Sequence, residues 1–521
     1  MVERWPPGPQ DTAGDIGELK NYIDLKPHEL SKIRRMHRLQ ERDVGYPPLS
    51  RVDDGSGAPP RYRAYTLSNF RELPQVQRLS DEQRFAIEVV AQVLPFKTNN
   101  YVVEQLIDWD HVPSDPMFLL NFPQREMLQP HHFEEMAALL RREAPKAEIH
   151  AAASRIRLEL NPHPAGQLDH NVPTLGRIKL TGMQHKYRET VLFFPSNGQT
   201  CHAYCSFCFR WPQFVGMDKL RFAMQDAEPL VQYLRVHPEV SDVLFTGGDP
   251  MIMRAGNLSR YIEPLLEARL PNLRTIRIGT KALSYWPYRF LTDEDADEAL
   301  NLFRQITASG LHLAFMAHLN HPRELRTDAA KAAIARIRET GAEIRTQSPV
   351  MRNINDSPAV WADMWREQVQ LGCIPYYMFV ARDTGAQHYF SVPLVRAFHI
   401  YRDAHNSVSG LARTVRGPSM SADPGKVQVL GVTEIGGEKV IALRMLQGRN
   451  PDWAMRLFFA EYDEEAVWLN DLRPAFGEKQ FFFEGELERM YRQNGARRRG
   501  RRRNGGNGAR DEDEPLPATL V

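Results

Sequence analysis

Cysteine is scarce in this chain, with four residues in a length of 521. Four cysteines cannot form the dense disulfide framework on which small secreted proteins depend. Three of them nevertheless lie within eight positions, in the segment CHAYCSFCFRWPQF that begins at residue 201, while Cys373 stands alone. Such clustering in a cysteine-poor chain indicates a shared chemical role for Cys201, Cys205 and Cys208.

Long apolar runs are also missing. No uninterrupted apolar window reaches the roughly eighteen residues of a membrane span, and the first twenty residues lack the basic-then-apolar order of a signal peptide. The net charge of +1 gives no overall attraction to nucleic acid or to an anionic membrane. We therefore expect a cytoplasmic protein without a membrane or nucleic-acid partner.

Composition and pattern divide the chain into four segments. Residues 1–160 carry amphipathic helical runs such as LSDEQRFAIEVVAQVL, and residues 161–410 alternate short apolar segments with helical ones. Residues 411–493 form a C-terminal extension. Residues 494–521 hold six arginines between Arg497 and Arg503 and then an acidic run, which predicts a disordered tail; arginine-mediated attachment to nucleic acid is the alternative.

Six β-strands are predicted in the second segment, and helices are predicted between them. The strands are TVLFFP, DVLFTGGDP, TIRIGT, LHLAFMAHLN, EIRTQSPV and IPYYMFVARD. Successive βα units form parallel sheets covered by helices. The expected fold is α/β, a partial (βα)6 barrel of parallel strands with a helical N-terminal region and a C-terminal extension.

Polar residues follow the carboxyl ends of these strands, where barrel enzymes place their chemistry. They are Gly247, Gly248, Asp249, Thr280, His318, Gln347 and Asp383.

The C-x3-C-x2-C spacing lets three thiolates converge on one metal centre. A structural zinc site needs four protein ligands, and the fourth would have to come from His202 or a distant histidine. Three unrelated buried cysteines are a further alternative. A cubane iron–sulfur cluster held by three cysteines keeps one iron open, which is a catalytic arrangement.

The same motif, placed directly after the first strand of a βα series, resembles that of the radical S-adenosylmethionine enzymes. Phe207, just before the third cysteine, is typical of that superfamily. The element LFTGGDP resembles its GGE/GGD motif at the end of the second strand. The resemblance implies a [4Fe-4S] cluster whose open iron binds S-adenosylmethionine and cleaves it to a 5′-deoxyadenosyl radical. It also implies that Gly247, Gly248 and Asp249 receive the methionine amino group.

Over roughly residues 110–450 the chain resembles the lysine 2,3-aminomutase family within that superfamily. The segments HKYRETVLFF, CFR, RIGTK, HLNHP, TQSPVMRNIND and PYYMFVARD follow the family's order and spacing. The resemblance implies that His318 and Gln347 contact S-adenosylmethionine and that Tyr187 contacts a second cofactor, pyridoxal 5′-phosphate. His318 as an ordinary core histidine is the alternative.

The resemblance also implies a set of substrate-binding residues. Arg210 would bind the α-carboxylate, for which a planar guanidinium is suited, or would instead neutralise the cluster. Asp383 and Asp423 would clamp the distant ammonium of lysine. Two carboxylates there favour lysine over glutamate, since a neutral side chain would leave them buried and unpaired.

Lys426 aligns with the family lysine that forms a Schiff base with pyridoxal phosphate, and a surface lysine in a turn is the alternative. The family's glycine-rich run before this lysine is cut to Pro424-Gly425. Thr190 stands where the family has an arginine near the phosphate, with Arg188 two residues earlier. No cysteine follows Cys373, so the family's C-terminal zinc elements have no counterpart.

The resemblance implies an isomerase that moves the 2-amino group of L-lysine, or of a related amino acid, to carbon 3. Its partners would be the small amino-acid substrate and an electron donor such as flavodoxin or ferredoxin, and a homo-oligomer is compatible with the sequence. One alternative is a radical enzyme of the same family acting without pyridoxal phosphate, on another amino acid or on a lysyl residue of a protein. Another is a non-catalytic metal-binding interaction module.

Overall fold

The computed structural model describes residues 60–161, 171–215 and 222–492. The predicted tail from residue 494 and the first 59 residues of the N-terminal segment lie outside the described residues.

Eleven of the described strands form one sheet, in the spatial order β15-β14-β13-β12-β11-β10-β9-β8-β7-β6-β5. The strands β6 to β12 run parallel to their neighbours, and antiparallel strands flank them on both sides. The strands are β1 Ala64–Thr66, β2 Lys97–Asn99, β3 Thr174–Leu175, β4 Ile178–Lys179, β5 Met183–Tyr187, β6 Thr190–Phe193, β7 Asp242–Phe245, β8 Thr275–Thr280, β9 His312–His318, β10 Glu343–Val350, β11 Ile374–Val380, β12 Arg416–Ser421, β13 Gly425–Ile435, β14 Glu438–Gly448 and β15 Leu457–Glu461.

Helices precede the large sheet and connect its parallel strands. They are α1 Asp81–Val93, α2 Pro116–Asn121, α3 Pro130–Arg141, α4 Lys146–Glu159, α5 Glu228–Val236, α6 Ala255–Ala268, α7 Ala282–Tyr285, α8 Ala296–Ala308, α9 Arg323–Arg326, α10 Asp328–Arg338, α11 Pro358–Gln370, α12 Gln387–Phe390 and α13 Leu394–Asn406. None of these described helices is long and apolar enough to cross a bilayer.

The parallel strands bury one face in apolar contacts and leave the other face to polar residues. In β8, Ile276 and Ile278 are fully buried in the main hydrophobic core, while Arg277 and Gly279 alternate with them and are partly exposed. Side chains of a strand point alternately to its two faces, so one face packs on the helices and the other lines the interior. The interior face is therefore able to carry ionisable groups.

The six predicted strands are present as β6 to β11, with helices between them. A seventh parallel strand, β12, was not expected, because its sequence RGPSMS contains glycine and proline and few β-formers. Pairing among the described strands leaves β5 and β15 as edges, so closure as a partial (βα)6 barrel stays a prediction. The two ends of this series of strands do come into contact, because the Lys186 ammonium on β5 donates to the Ala422 carbonyl just after β12.

Two further large hydrophobic clusters, and one small one around Phe194, lie beside the main core. One gathers the buried side chains of residues 65–160 together with Trp211, Tyr285 and Phe390, and the other gathers apolar residues of β13 to β15 and the segment that follows them. The N-terminal helices therefore pack on the end of the sheet where the cysteine segment lies.

Candidate active site

The cysteine loop, residues 200–210, follows β6 and is held by the N-terminal region. The Tyr204 amide donates to the Lys97 carbonyl at 2.8 Å, and the Ser206 amide donates to the Leu120 carbonyl at 2.9 Å. The Lys97 ammonium returns a bond to the Cys201 carbonyl at 2.7 Å. The N-terminal region thus holds the backbone of the loop in place, and the three thiols take no part in these hydrogen bonds.

The three thiols of this loop are partly exposed and close enough to influence one another's ionisation. Burial raises the pKa of Cys205 to about 12 and that of Cys208 to about 11, and it raises the pKa of Cys201 as well. A metal ion bound to the sulfurs would offset this cost, because it favours the thiolate form.

The three sulfurs are not drawn together as tightly as the ligands of a bound metal ion. Among the described residues, three metal-binding side chains with all their ligand atoms within 4.8 Å of one another occur only at His131, His132 and Glu159. At least one pair of the cysteine sulfurs is therefore more than 4.8 Å apart.

The backbone after β7 lies directly against the cysteine loop. The Gly248 amide donates to the Gly198 carbonyl at 3.1 Å, and the Asp249 amide donates to the Thr200 carbonyl at 2.8 Å. A Cβ at position 248 would lie 2.6 Å from the Thr200 nitrogen, a distance that real side chains do not reach. Gly247 has a φ of +148°, which side chains rarely adopt. Both glycines are therefore required by this contact.

The Asp249 carboxylate is buried and already satisfied within the protein. It accepts hydrogen bonds from the Thr280 hydroxyl at 2.7 Å, from the Lys281 amide at 2.8 Å and from the Met251 amide at 2.9 Å. Burial nevertheless raises its pKa. Asp249 thus joins the ends of β7 and β8, and the methionine contact implied by the resemblance stays a prediction.

Several buried polar atoms in and beside the cysteine loop have no hydrogen-bond partner among the described residues, including Gln199 Oε1, His202 Nδ1 and His318 Nδ1. The Gln199 amide adjoins Gly247, and the His318 ring at the end of β9 stacks on Phe207 at a centroid distance of 5.7 Å. Burial lowers the pKa of His318 to about 3, so its ring is neutral. Unpaired buried groups are costly, and a polar ligand such as S-adenosylmethionine would satisfy them.

Gln347 lies on β10 directly beside His318, with which it is in register. Its side chain is partly exposed at the interior face. The two residues predicted to contact S-adenosylmethionine, His318 and Gln347, therefore lie side by side on the neighbouring strands β9 and β10.

Lys281, the last residue of the segment RIGTK, also belongs to the site, although no motif indicated a role for it. Its ammonium bonds to Asn320 Oδ1 at 2.8 Å and to the fully buried carboxylate of Glu324. It also lies 4.3 Å from the ring centre of Tyr285, whose hydroxyl is 3.7 Å from the Cys205 sulfur. The buried ion pair between Lys281 and Glu324 therefore lies next to Tyr285, which contacts the cysteine loop.

Lys426, at the start of β13, lies in a box of aromatic rings. Its Nζ is 4.5 Å from the ring centre of Tyr377 and 5.5 Å from that of Tyr187, and it donates to Gln447 Oε1 at 3.2 Å. Burial, together with the charges of the nearby Arg277 and Arg416, lowers its pKa to about 8. A partly neutral amine in an aromatic enclosure has the properties of a lysine that reacts with a carbonyl.

Three cations lie near Lys426, and two of them could hold an anionic phosphate. Lys186, Arg277 and Arg416 are each close enough to oppose its positive charge, but Arg277 is paired with the Asp242 carboxylate. Thr190 instead bonds to the Asp242 carboxylate, and Arg188 is exposed at the turn between β5 and β6. Lys186 and Arg416 could therefore bind the phosphate in place of the arginine that the resemblance implies.

Arg210 lies between the cysteine loop and a second arginine. Its guanidinium carbon is 4.3 Å from the ring centre of Phe194 and 5.1 Å from that of Phe209. Burial lowers its pKa to about 10, the Cys208 thiol opposes that shift, and the charge of Arg382 adds to it. No described side chain accepts a hydrogen bond from this guanidinium, which leaves it able to bind an anion.

The two predicted ammonium-binding aspartates both have cationic neighbours. Asp423 accepts from Arg449 Nη2 at 2.8 Å and from the Tyr491 hydroxyl at 2.6 Å, and its side chain is 51% exposed. Burial would raise its pKa, but Arg449 and Tyr491 hold it below the ordinary value. The charge of Asp383 acts on its neighbour Arg382. No sequence motif predicted that Lys186, Arg382 and Arg449 would lie near these two aspartates.

Sequence relatives with known names match most of this chain. A protein of Aquifex aeolicus named "Putative L-lysine 2,3-aminomutase" is 30% identical over 400 residues, which cover 77% of this chain and 93% of the relative. The chain belongs to the lysine 2,3-aminomutase family of radical S-adenosylmethionine enzymes. The L-lysine 2,3-aminomutases of Escherichia coli and Clostridium subterminale are 27% and 25% identical over 243 and 266 residues. These matches cover 45% and 51% of this chain and 66% and 60% of those relatives.

Solved structures of radical S-adenosylmethionine proteins also overlap this aminomutase-family chain in part. A methyltransferase from Sphaerobacter thermophilus has a TM-score of 0.32 and 20% identity, covering 45% of this chain and 68% of that one. Streptococcus suis SuiB bound to S-adenosylmethionine has a TM-score of 0.30 and 12% identity, covering 54% and 60%. No protein-family model matches the chain, and the family assignment rests on the sequence relatives.

The close contact between Gly248 and Thr200 predicts that a side chain at position 248 weakens binding of the iron–sulfur cluster. In Gly248→Ala the new methyl group must displace the cysteine loop, so reconstituted protein should hold less than about half of the wild-type iron and sulfide. Metal and sulfide analysis of anaerobically reconstituted protein measures this. Gly256→Ala is the matched control, because a Cβ there meets nothing within 4 Å. Equal iron in both variants would contradict the expectation.

The lowered pKa of Lys426 predicts a pH dependence for carbonyl attachment. The neutral amine is the nucleophile, so attachment of pyridoxal phosphate should rise with pH to a plateau with a midpoint near 8. An ordinary lysine would have its midpoint near 10.4. Borohydride trapping at each pH, followed by peptide mass spectrometry, measures the midpoint at Lys426. A midpoint above about 10 would contradict the predicted environment.

Proposed function

We propose that this enzyme is a pyridoxal-phosphate-dependent 2,3-aminomutase that moves the 2-amino group of an L-α-amino acid to carbon 3. The observation that carries the proposal is the position of Lys426, whose buried amine, with a pKa of about 8, lies among aromatic rings and cations. A chain of neighbouring charges supports the link to the cysteine loop. Lys426 is near Lys186, Lys186 is near Arg382, and Arg382 is near Arg210 beside Cys208.

The cysteine loop would hold the [4Fe-4S] cluster through Cys201, Cys205 and Cys208. Gln199 Oε1 and His318 Nδ1 are unpaired polar atoms near this loop and would be available to S-adenosylmethionine. Bound together, the cluster and S-adenosylmethionine supply a 5′-deoxyadenosyl radical, and pyridoxal phosphate supplies the carbonyl that holds the migrating amine.

The remaining residues bind and orient. Lys426 releases its proton from Nζ near neutral pH and so can react with a carbonyl, while Tyr187, Tyr377 and Gln447 fix its direction. Arg210 binds the substrate α-carboxylate and places it next to the cysteine loop. The aromatic rings exclude water, which protects a radical from quenching.

The names of the relatives make L-lysine the first amino acid to test. Asp383 and Asp423 stay the predicted partners of its distant ammonium.

The proposal predicts that two chemically different substitutions abolish amine migration. Lys426→Ala should lower the rate by at least about a thousandfold because it removes the covalent anchor. Cys205→Ala should abolish 5′-deoxyadenosine formation because it removes a cluster ligand. Both are measured anaerobically with dithionite, with nitrogen-15-labelled amino acids followed by mass spectrometry.

Lys331→Ala is the matched control, because this lysine lies exposed on α10. It should retain wild-type activity and wild-type borohydride labelling. A Lys426→Ala protein that still binds pyridoxal phosphate covalently and still moves the amine would sink the proposal.

A further inference from the structure

Tyr285, the last residue of α7, brings a hydroxyl group to one of the three cysteine thiols. Its side chain is fully buried, and its hydroxyl oxygen is 3.7 Å from the Cys205 sulfur, a hydrogen-bonding distance for sulfur. Asn99 fixes the surrounding backbone, because its Nδ2 donates to the Tyr285 carbonyl at 2.9 Å and to the His202 carbonyl at 3.2 Å. The phenol is therefore held at a set position relative to the cysteine loop.

The direction of the hydrogen bond between Tyr285 and Cys205 depends on whether the cysteine binds metal. A free thiol can donate to the phenol oxygen, as it does in this structure. Cysteine binds iron as a thiolate, so the thiol proton leaves when a cluster is bound. The phenol then has the only hydrogen between the two atoms, and it becomes the donor.

Asn121 leaves the phenol hydrogen available for this bond. Its Nδ2 donates to the Tyr285 hydroxyl oxygen at 3.4 Å and to the Met117 carbonyl at 2.9 Å. A carbonyl only accepts hydrogen bonds, so Met117 fixes the amide with its nitrogen facing both oxygens. The Tyr285 oxygen thus accepts from Asn121, and its own O–H is free to point at Cys205.

Lys281 lies over the face of the same phenol ring. Its ammonium is 4.3 Å from the ring centre and is held there by the fully buried carboxylate of Glu324. A cation at the face of a phenol ring draws electron density away from the hydroxyl oxygen. The O–H of Tyr285 is therefore a stronger donor than that of an isolated phenol.

We infer that Tyr285 is a positioning residue for the iron–sulfur cluster, and that its hydroxyl donates a hydrogen bond to the Cys205 thiolate and raises the reduction potential of the cluster. Reduction adds one electron from a low-potential donor, and no bond to Tyr285 is broken. The reduced cluster is the more negative state, so a hydrogen bond to a ligand sulfur stabilises it more than the oxidised state. The inference rests on ligation of the cluster by Cys205 and is independent of the amino acid on which the enzyme acts.

Potentiometric titration of the reconstituted holoenzyme, followed by electron paramagnetic resonance of the reduced cluster, tests the inference. In Tyr285→Phe the ratio of reduced to oxidised cluster at a fixed potential should fall about tenfold, because the hydrogen bond to a charged sulfur is lost. For one electron this is a midpoint about 59 mV lower. An unchanged midpoint in Tyr285→Phe protein with a full complement of iron would overturn the inference.

Tyr62→Phe is the matched control. The Tyr62 hydroxyl donates to the His202 carbonyl of the same loop at 2.7 Å, and so it contacts the backbone of the loop at this bond instead of a sulfur. Its removal should leave the midpoint at the wild-type value. An equal shift in Tyr62→Phe and Tyr285→Phe would assign the effect to packing of the loop and would also overturn the inference.

Replacement of Tyr285 by 3-fluorotyrosine tests the same hydrogen bond without removing it. Fluorine makes the phenol a stronger donor and leaves the ring and the hydroxyl in place, so the midpoint should rise above the wild-type value. This protein serves even if Tyr285→Phe binds too little iron to titrate. A midpoint that falls or does not move in the fluorotyrosine protein would contradict the inference.

Iron and sulfide analysis of Cys205→Ala separates failure of this inference from failure of the proposed function. Full cluster content in Cys205→Ala would show that Cys205 is not a ligand, which rejects the cluster site of the proposed function and the inference with it. Loss of the cluster in Cys205→Ala, combined with a wild-type midpoint in Tyr285→Phe, would overturn the inference alone.

Discussion

The site depends on one backbone contact, in which the turn after β7 rests against the cysteine loop. Gly248 has no side chain to keep Thr200 away, and the amide of Asp249 donates to the Thr200 carbonyl. Because of this contact, the turn after β7, which contains the two glycines, lies beside the loop that contains the thiols. Both lie at the edge formed by the carboxyl ends of the parallel strands. The next strand is tied in through Asp249 and Thr280, and β9 and β10 then bring His318 and Gln347 to the same edge.

The second constraint is electrostatic. Most ionisable groups of the interior are removed from water, so each one is stable only beside a partner or a ligand. Lys281 has Glu324 and Arg277 has Asp242, and both pairs are structural. Lys426 and Arg210 have no carboxylate bonded to them among the described residues, which distinguishes them as groups able to bind a ligand.

Much of the fold was predictable, because strand and helix periodicities differ and the six βα units each leave a clear pattern. The cysteines and the glycine pair were predictable because their chemistry requires those residues at fixed spacing. Other features were not, since they join distant parts of the chain. Arg449 reaches Asp423 from β14 and its following turn, and Lys97 reaches Cys201 from the N-terminal region, and no local pattern signals either contact.

The grip of the N-terminal region on the cysteine loop has a consequence for oxygen tolerance. Lys97, Asn99 and Leu120 supply bonds to the loop that no strand of the large sheet provides, and the hydrophobic cluster of residues 65–160 covers the loop from outside. Iron–sulfur clusters are damaged when dissolved dioxygen reaches them. The helices that precede the sheet would thus protect a bound cluster in part as well as hold the loop, so loosening them should shorten the lifetime of the cluster in air.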